Sequence, residues 1–158
     1  MFDKIFEKLG ESFNKEKKLL REAKIYDAYV LLKKREEAEA ALLSGLLLII
    51  MKKRKQGVEI VNSNIEIGKE LLGEDLVYEI IGTVYFNEEN YLEASRYFLK
   101  SIECNPGNFI SRYNLANIYI LRKDYKNSYE ILKQLYLEEP ENKAVKHNLE
   151  LLKSKLSK

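Results

Sequence analysis

The chain has little of what catalytic and metal-binding proteins most often use. Its 158 residues include one cysteine and one histidine. A single cysteine excludes an intramolecular disulfide framework and a thiolate-built zinc site. A single histidine excludes the multi-histidine metal centres. Tryptophan is absent, and two prolines and seven glycines leave few obligatory breaks in the backbone. Charge of one sign is scarce as well. Lys and Arg number 27 against 25 Asp and Glu, a net of +2, which by itself implies neither nucleic acid nor an anionic membrane. The first twenty residues carry no continuous apolar stretch and no small-residue cleavage site, so no secretory signal is read there. The longest apolar run, residues 40–51, would span about 18 Å as a helix, against a hydrocarbon core of about 30 Å. It reads as a buried helix closed by Glu39 and Lys52, with a short membrane-dipping segment held by the flank Lys52-Lys53-Arg54-Lys55 as the alternative. With one reduced thiol, the expected compartment is the cytoplasm.

What is present is apolar enough for a real core. Hydrophobic residues make up 46% and charged residues 33%, which excludes a disordered or collagen-like chain. The two prolines, Pro106 and Pro140, lie 34 residues apart, and the same offset recurs between them and upstream. It relates Ile81 to Leu115, Gly82 to Ala116, Tyr85 to Tyr119, Tyr91 to Tyr125, Ala94 to Ser128, Phe98 to Leu132 and Ile102 to Tyr136. Apolar residues recur at helical spacing over 75–88 and 91–103, with a polar break between them. The plan repeats over 109–122 and 125–138. Small Gly82 and Ala94 let two helices approach closely, with Tyr85 and Phe98 beside them. Proline then ends each unit, because it lacks an N–H and disfavours helical geometry just before it.

This constellation resembles the tetratricopeptide repeat family. The first unit reads Tyr78, Ile81-Gly82, Tyr85, Ala94, Phe98, Ser101, Pro106. The second reads Leu115-Ala116, Tyr119, Ser128, Leu132, Pro140, and departs from the pattern at Arg112 and Leu135. The resemblance implies an all-α fold: a short right-handed solenoid of antiparallel helix pairs. Repeats are expected at 75–108 and 109–142, with a polar cap helix at 143–158. Before them, 41–74 reads as a degenerate helix pair, 41–54 and 58–72, broken at Gln56-Gly57. A competing register uses Tyr29, Ala38, Leu42 and Gly45 for a repeat over 19–50 and leaves 58–72 as a linking helix. Residues 1–40 read as a helical extension. Phe2, Ile5, Phe6, Leu9 and Phe13 form a narrow apolar stripe there, and 15–34 reads as one long helix.

Neither a glycine-rich phosphate loop nor an HExxH pair occurs. Cys104 and His147 could form a nucleophile–base pair, but Cys104 reads better as a small buried thiol at a helix end and His147 as a cap-helix residue. No enzyme, metal or cofactor is expected. The resemblance places a partner-binding groove on the first helix of each unit. Its residues are Glu79, Ile80, Thr83, Phe86 and Asn87, then Tyr113, Asn114, Asn117, Ile120 and Leu121, then His147, Asn148 and Leu151. Asn114 and Asn148 are again 34 residues apart, and amides there could pair with the main chain of an extended peptide or merely brace neighbouring helices. The Lys and Arg of the family's carboxylate clamp are missing. The expected function is therefore a non-catalytic adaptor or scaffold that takes an extended or helical segment of another protein.

The second reading is a self-associating or membrane-peripheral assembly protein acting through its N-terminal helices. The charge distribution bears on it. Residues 1–57 hold 14 basic and 9 acidic groups, a net of +5, and the remainder nets −3. Interleaved Glu16, Glu22, Glu36 and Glu37 make the basic clusters read as solvated helix faces, and no motif points to nucleic acid.

Overall fold

The computed structural model describes residues 11–156, apart from the side chain of Ser12. Phe2, Ile5, Phe6 and Leu9 of the expected stripe lie outside the described residues. After a 3₁₀ turn, Glu11–Phe13, the described residues form ten α-helices and no strand. They are α1 (Asn14–Arg21), α2 (Ile25–Leu32), α3 (Ala38–Ile50), α4 (Arg54–Ser63), α5 (Ile65–Leu72), α6 (Glu74–Asn87), α7 (Tyr91–Cys104), α8 (Phe109–Leu121), α9 (Tyr125–Glu138) and α10 (Lys143–Leu156). Among the described residues, no helix is long and apolar enough to cross a membrane. The chain divides into two compact units after Val77.

In the first unit, consecutive helices from α1 to α4 pack against each other, and α5 packs on α3 and α4. The apolar run is the centre of this unit. Residues 42–48 of α3 are all buried, and exposure returns only at Ile50. The run therefore fills its own unit's core. Two expectations fail here. Gln56-Gly57 is not a break but lies inside α4, and the turn falls at residues 51–53 instead. The reason is steric. A Cβ on Gly57 would stand 2.6 Å from the Gly45 carbonyl oxygen and 2.8 Å from the Ile49 nitrogen, so α3 and α4 cross backbone to backbone. The second break, at Asn64, divides 58–72 into α4 and α5. There the Asn64 side-chain amide donates to the Ile60 carbonyl at 2.8 Å. Gly45 and Gly57 are twelve residues apart, as are Gly82 and Ala94, and Ala116 and Ser128.

The expected long helix over 15–34 is also two helices. Ala23 adopts φ 57°, and the turn closes through Lys24 N–H to Leu19 O (2.8 Å) and Ala23 N–H to Leu20 O (3.1 Å). This paired bond is a Schellman ending. It recurs at three further helix ends: Lys52 after α3, Glu89 after α6 and Lys123 after α8, all at positive φ. In each, the next N–H reaches back five residues, from Lys53 to Leu48, Asn90 to Tyr85, and Asp124 to Tyr119. One turn geometry thus joins four helix pairs although none of them carries glycine at the left-handed position.

In the second unit, Phe98 is fully buried and its ring lies 2.8 Å from where a Gly82 Cβ would stand, so glycine is required for that contact. Ala94, Phe98, Leu115 and Ile118 form one buried cluster; Ala116, Leu132, Leu135, Val145, Leu149 and Leu152 form the next. The second cluster is closed by α10, whose apolar face is covered while Lys143, Lys146, Glu150 and Lys153 stay exposed. Buried hydroxyls are bonded: Ser111 donates to Ser101 at 2.8 Å, and Ser128 to the Ala116 carbonyl at 2.9 Å. Helix caps repeat with the same offset as the apolar pattern. Asn90 and Asp124 cap α7 and α9, and Asn108 and Asn142 cap α8 and α10, each side chain accepting from a backbone N–H three residues on.

Candidate functional site

The residues expected to meet a partner separate into three groups. Glu79 and Ile80 are buried. The Glu79 carboxylate accepts from the Asn108 side-chain amide at 3.0 Å, so it braces the start of α8. These two positions present nothing to a partner, which corrects the expectation for them. Phe86, Tyr113 and Ile120 are half-buried and pack on the two core clusters. Phe86 meets Tyr91 edge-on at 5.7 Å, and Tyr113 stacks on Phe109 at 6.5 Å. Asn87, Leu121, His147 and Leu151 are exposed, while Thr83, Asn114, Asn117 and Asn148 are half-buried.

Helices α8 and α10 bring three of these side chains together. The Asn148 amide nitrogen donates to Asn117 Oδ1 at 2.9 Å and to the Tyr113 hydroxyl at 3.2 Å. Both amide protons are thereby used. Asn148 Oδ1 keeps its acceptor capacity, while Asn117 Nδ2 and the Tyr113 O–H keep their donors, with no partner among the described residues. Asn114, one turn from Asn117, makes no side-chain hydrogen bond among the described residues either. The pair at the 34-residue offset thus plays two parts: Asn148 braces a neighbouring helix and Asn114 does not. Leu121 and Leu151 add exposed apolar surface, 53% and 41% accessible.

The departure at Arg112 has a structural cause. Its guanidinium reaches α9, pairing with Glu138 at 2.7 Å and meeting Gln134 at 3.4 Å. In the preceding unit the equivalent places hold Tyr78 and Lys100, and the Lys100 ammonium lies 5.3 Å from the Tyr78 ring centre. The cation sits on the second helix of one pair and on the first helix of the next. Tyr97 stacks on Tyr85, with ring centres 5.6 Å apart, and lies tilted against Tyr78 at 6.2 Å. Burial, aided by the neighbouring Tyr85, pushes its phenol above the usual tyrosine range.

Cys104 is exposed at the last position of α7, not buried as expected. Ser101 is the fully buried residue of that turn. Among the described residues no three His, Cys, Asp or Glu side chains gather as metal ligands. The second unit also holds a cleft of about 580 Å³ between α7, α8 and α9, walled by Leu99, Ile102, Leu115 and Ile131 and ended by Arg112 and Glu138. Sequence reasoning did not find it. The one visible signal was Arg112 at a place the repeat pattern reserves for a bulky apolar residue.

Two family models described as tetratricopeptide repeat match residues 77–108 and 97–130. No curated protein matches the chain in sequence. Among solved structures it is similar to MamA AMB-1, with 16% identity and a TM-score of 0.75, covering 99% of this chain and 84% of that one. It is also similar to MamA MSR-1, with 18% identity and a TM-score of 0.72, covering 91% of this chain and 84% of that one. The repeated helix pairs, their shared offset in core, cap and turn, and these matches lead to one conclusion: residues 77–130 carry tetratricopeptide repeats, and the chain has an all-α solenoid fold.

Proposed function

We propose that this interaction scaffold holds an extended segment of a partner protein on the face shared by α8 and α10, and that it does so without catalysis. The repeats are taken as 75–108 and 109–142, with 143–158 as the cap. The observation that carries the reading is the Tyr113–Asn117–Asn148 cluster, with its unused acceptor and donors beside unbonded Asn114. Main-chain N–H and C=O groups of an extended peptide supply the missing partners. A helix keeps its own main-chain groups occupied and supplies none. Leu121 and Leu151 favour apolar side chains on either side of that contact.

A triple variant, Tyr113→Phe, Asn114→Ala and Asn148→Ala, removes hydrogen-bonding atoms and keeps the Tyr113 ring in the core. Three lost bonds of about 1 kcal/mol each should lower affinity at least tenfold in a peptide array or pull-down. Circular dichroism checks that the helices persist. Unchanged partner recovery by the folded variant would remove this reading.

A further inference from the structure

The turn from α3 to α4 places positive charge beside exposed apolar surface. Its residues are Ile50, Met51, Lys52, Lys53, Arg54 and Lys55. The Schellman bonds at Lys52 and Lys53, 3.0 and 2.8 Å, fix the backbone, so four consecutive cations share one tip. Ile50 is 45% exposed next to them. No acidic residue occurs from 40 to 58. Three other cations of this unit are paired: Lys24 with Glu22, Arg35 with Glu16 and Glu37, and Lys69 with Glu66 and Glu74. Lys52, Lys53, Arg54 and Lys55 make no ion pair among the described residues. Four uncompensated like charges raise the energy of the tip, and an oppositely charged surface relieves it.

We propose that this turn docks the protein reversibly on an anionic lipid surface, with the cations at the headgroups and Ile50 entering the interface. Charge complementarity supplies the attraction. The exposed Ile50 side chain favours lipid over nucleic acid, because a phosphate backbone offers an apolar side chain nothing. Each cation near such a surface contributes about fivefold in binding, and a basic cluster with a single apolar side chain gives a contact that forms and releases.

Co-sedimentation of the full chain with phosphatidylcholine vesicles, with and without phosphatidylserine, tests this at ~0.1 M salt, where charges are felt over about 10 Å. Binding is expected only with phosphatidylserine. Lys53→Glu with Lys55→Glu should weaken it on the order of a hundredfold, since each reversal removes an attraction and adds a repulsion. Lys33→Glu with Lys34→Glu changes net charge equally in the same unit and should leave binding within a few-fold. Because the chain has no tryptophan, an Ile50→Trp reporter should shift to the blue on phosphatidylserine vesicles. Equal loss in both double variants, equal binding to both vesicle types, or an unshifted reporter on bound vesicles would each overturn the proposal. So would duplex DNA binding through these lysines without vesicle binding. Circular dichroism confirms that every variant is folded.

Discussion

Ala23, Lys52, Glu89 and Lys123 adopt the left-handed conformation that L-residues occupy at a cost of roughly 1–2 kcal/mol. Glycine would remove that cost but lose more entropy on folding, roughly 0.5–1 kcal/mol. Glu89→Gly and Lys123→Gly should therefore each stabilise by about 0.5–1 kcal/mol, read as a melting temperature raised by roughly 1–4 °C. Tyr97 gives a second expectation at this scale. The folded state holds its phenolic proton where the unfolded chain releases it, so its raised pKa favours folding below the ordinary tyrosine pKa of about 10. That contribution is lost as pH rises through the folded value. Alkaline titration of tyrosine absorbance should show a late phenol, absent in Tyr97→Phe, and from pH about 10 up to the folded value stability of the wild type should fall more steeply than that of the variant.

Helix pairs in this chain are held by a small residue from each partner, and the contact at Gly45 and Gly57 is the tightest. Alanine at residue 57 would gain about 1 kcal/mol in helix propensity. Its Cβ would also strike backbone atoms that cannot turn aside, and overpacking costs typically 1–3 kcal/mol. Gly57→Ala should lower the urea midpoint. Gly68→Ala, whose nearest neighbours are side-chain methyls of Val77 at 3.1 Å and Leu42 at 3.4 Å rather than backbone, should lower it less. The same contact explains what could be read from sequence. The helices after Glu74 were legible because Pro106, Pro140 and paired tyrosines mark one offset twice. Before it, Gly57 reads as a breaker although it serves close approach. The break at Ala23 is made by backbone bonds that no residue type announces. The twelve-residue spacing of small residues was the available signal. In the candidate site, Tyr113 and Asn148 were visible as polar groups on the first helix of one unit and on the cap helix after it, but their mutual bond was not. Glu79 looked available because its partner Asn108 lies 29 residues away.

At the scale of the whole molecule, the division after Val77 separates a glycine-packed helical unit from one with regular repeats. The second has its own two buried clusters and a polar final helix, the parts a short repeat array needs to fold. A fragment of residues 74–158 should therefore be helical by circular dichroism and unfold in one cooperative thermal transition; a broad, non-cooperative melt would show that the array needs residues before it. Repetition also creates a hazard, since a chain with similar helices can align one unit out of frame. The exchange of cation and ring between neighbouring pairs guards against it. If α8 took the place of α6 against α7, the Arg112 guanidinium would face the Lys100 ammonium where Tyr78 now offers a ring. The departure from the repeat pattern thus works as a frame marker: slipped pairing brings like charges together, and the native order gives Lys100 and Arg112 a partner each.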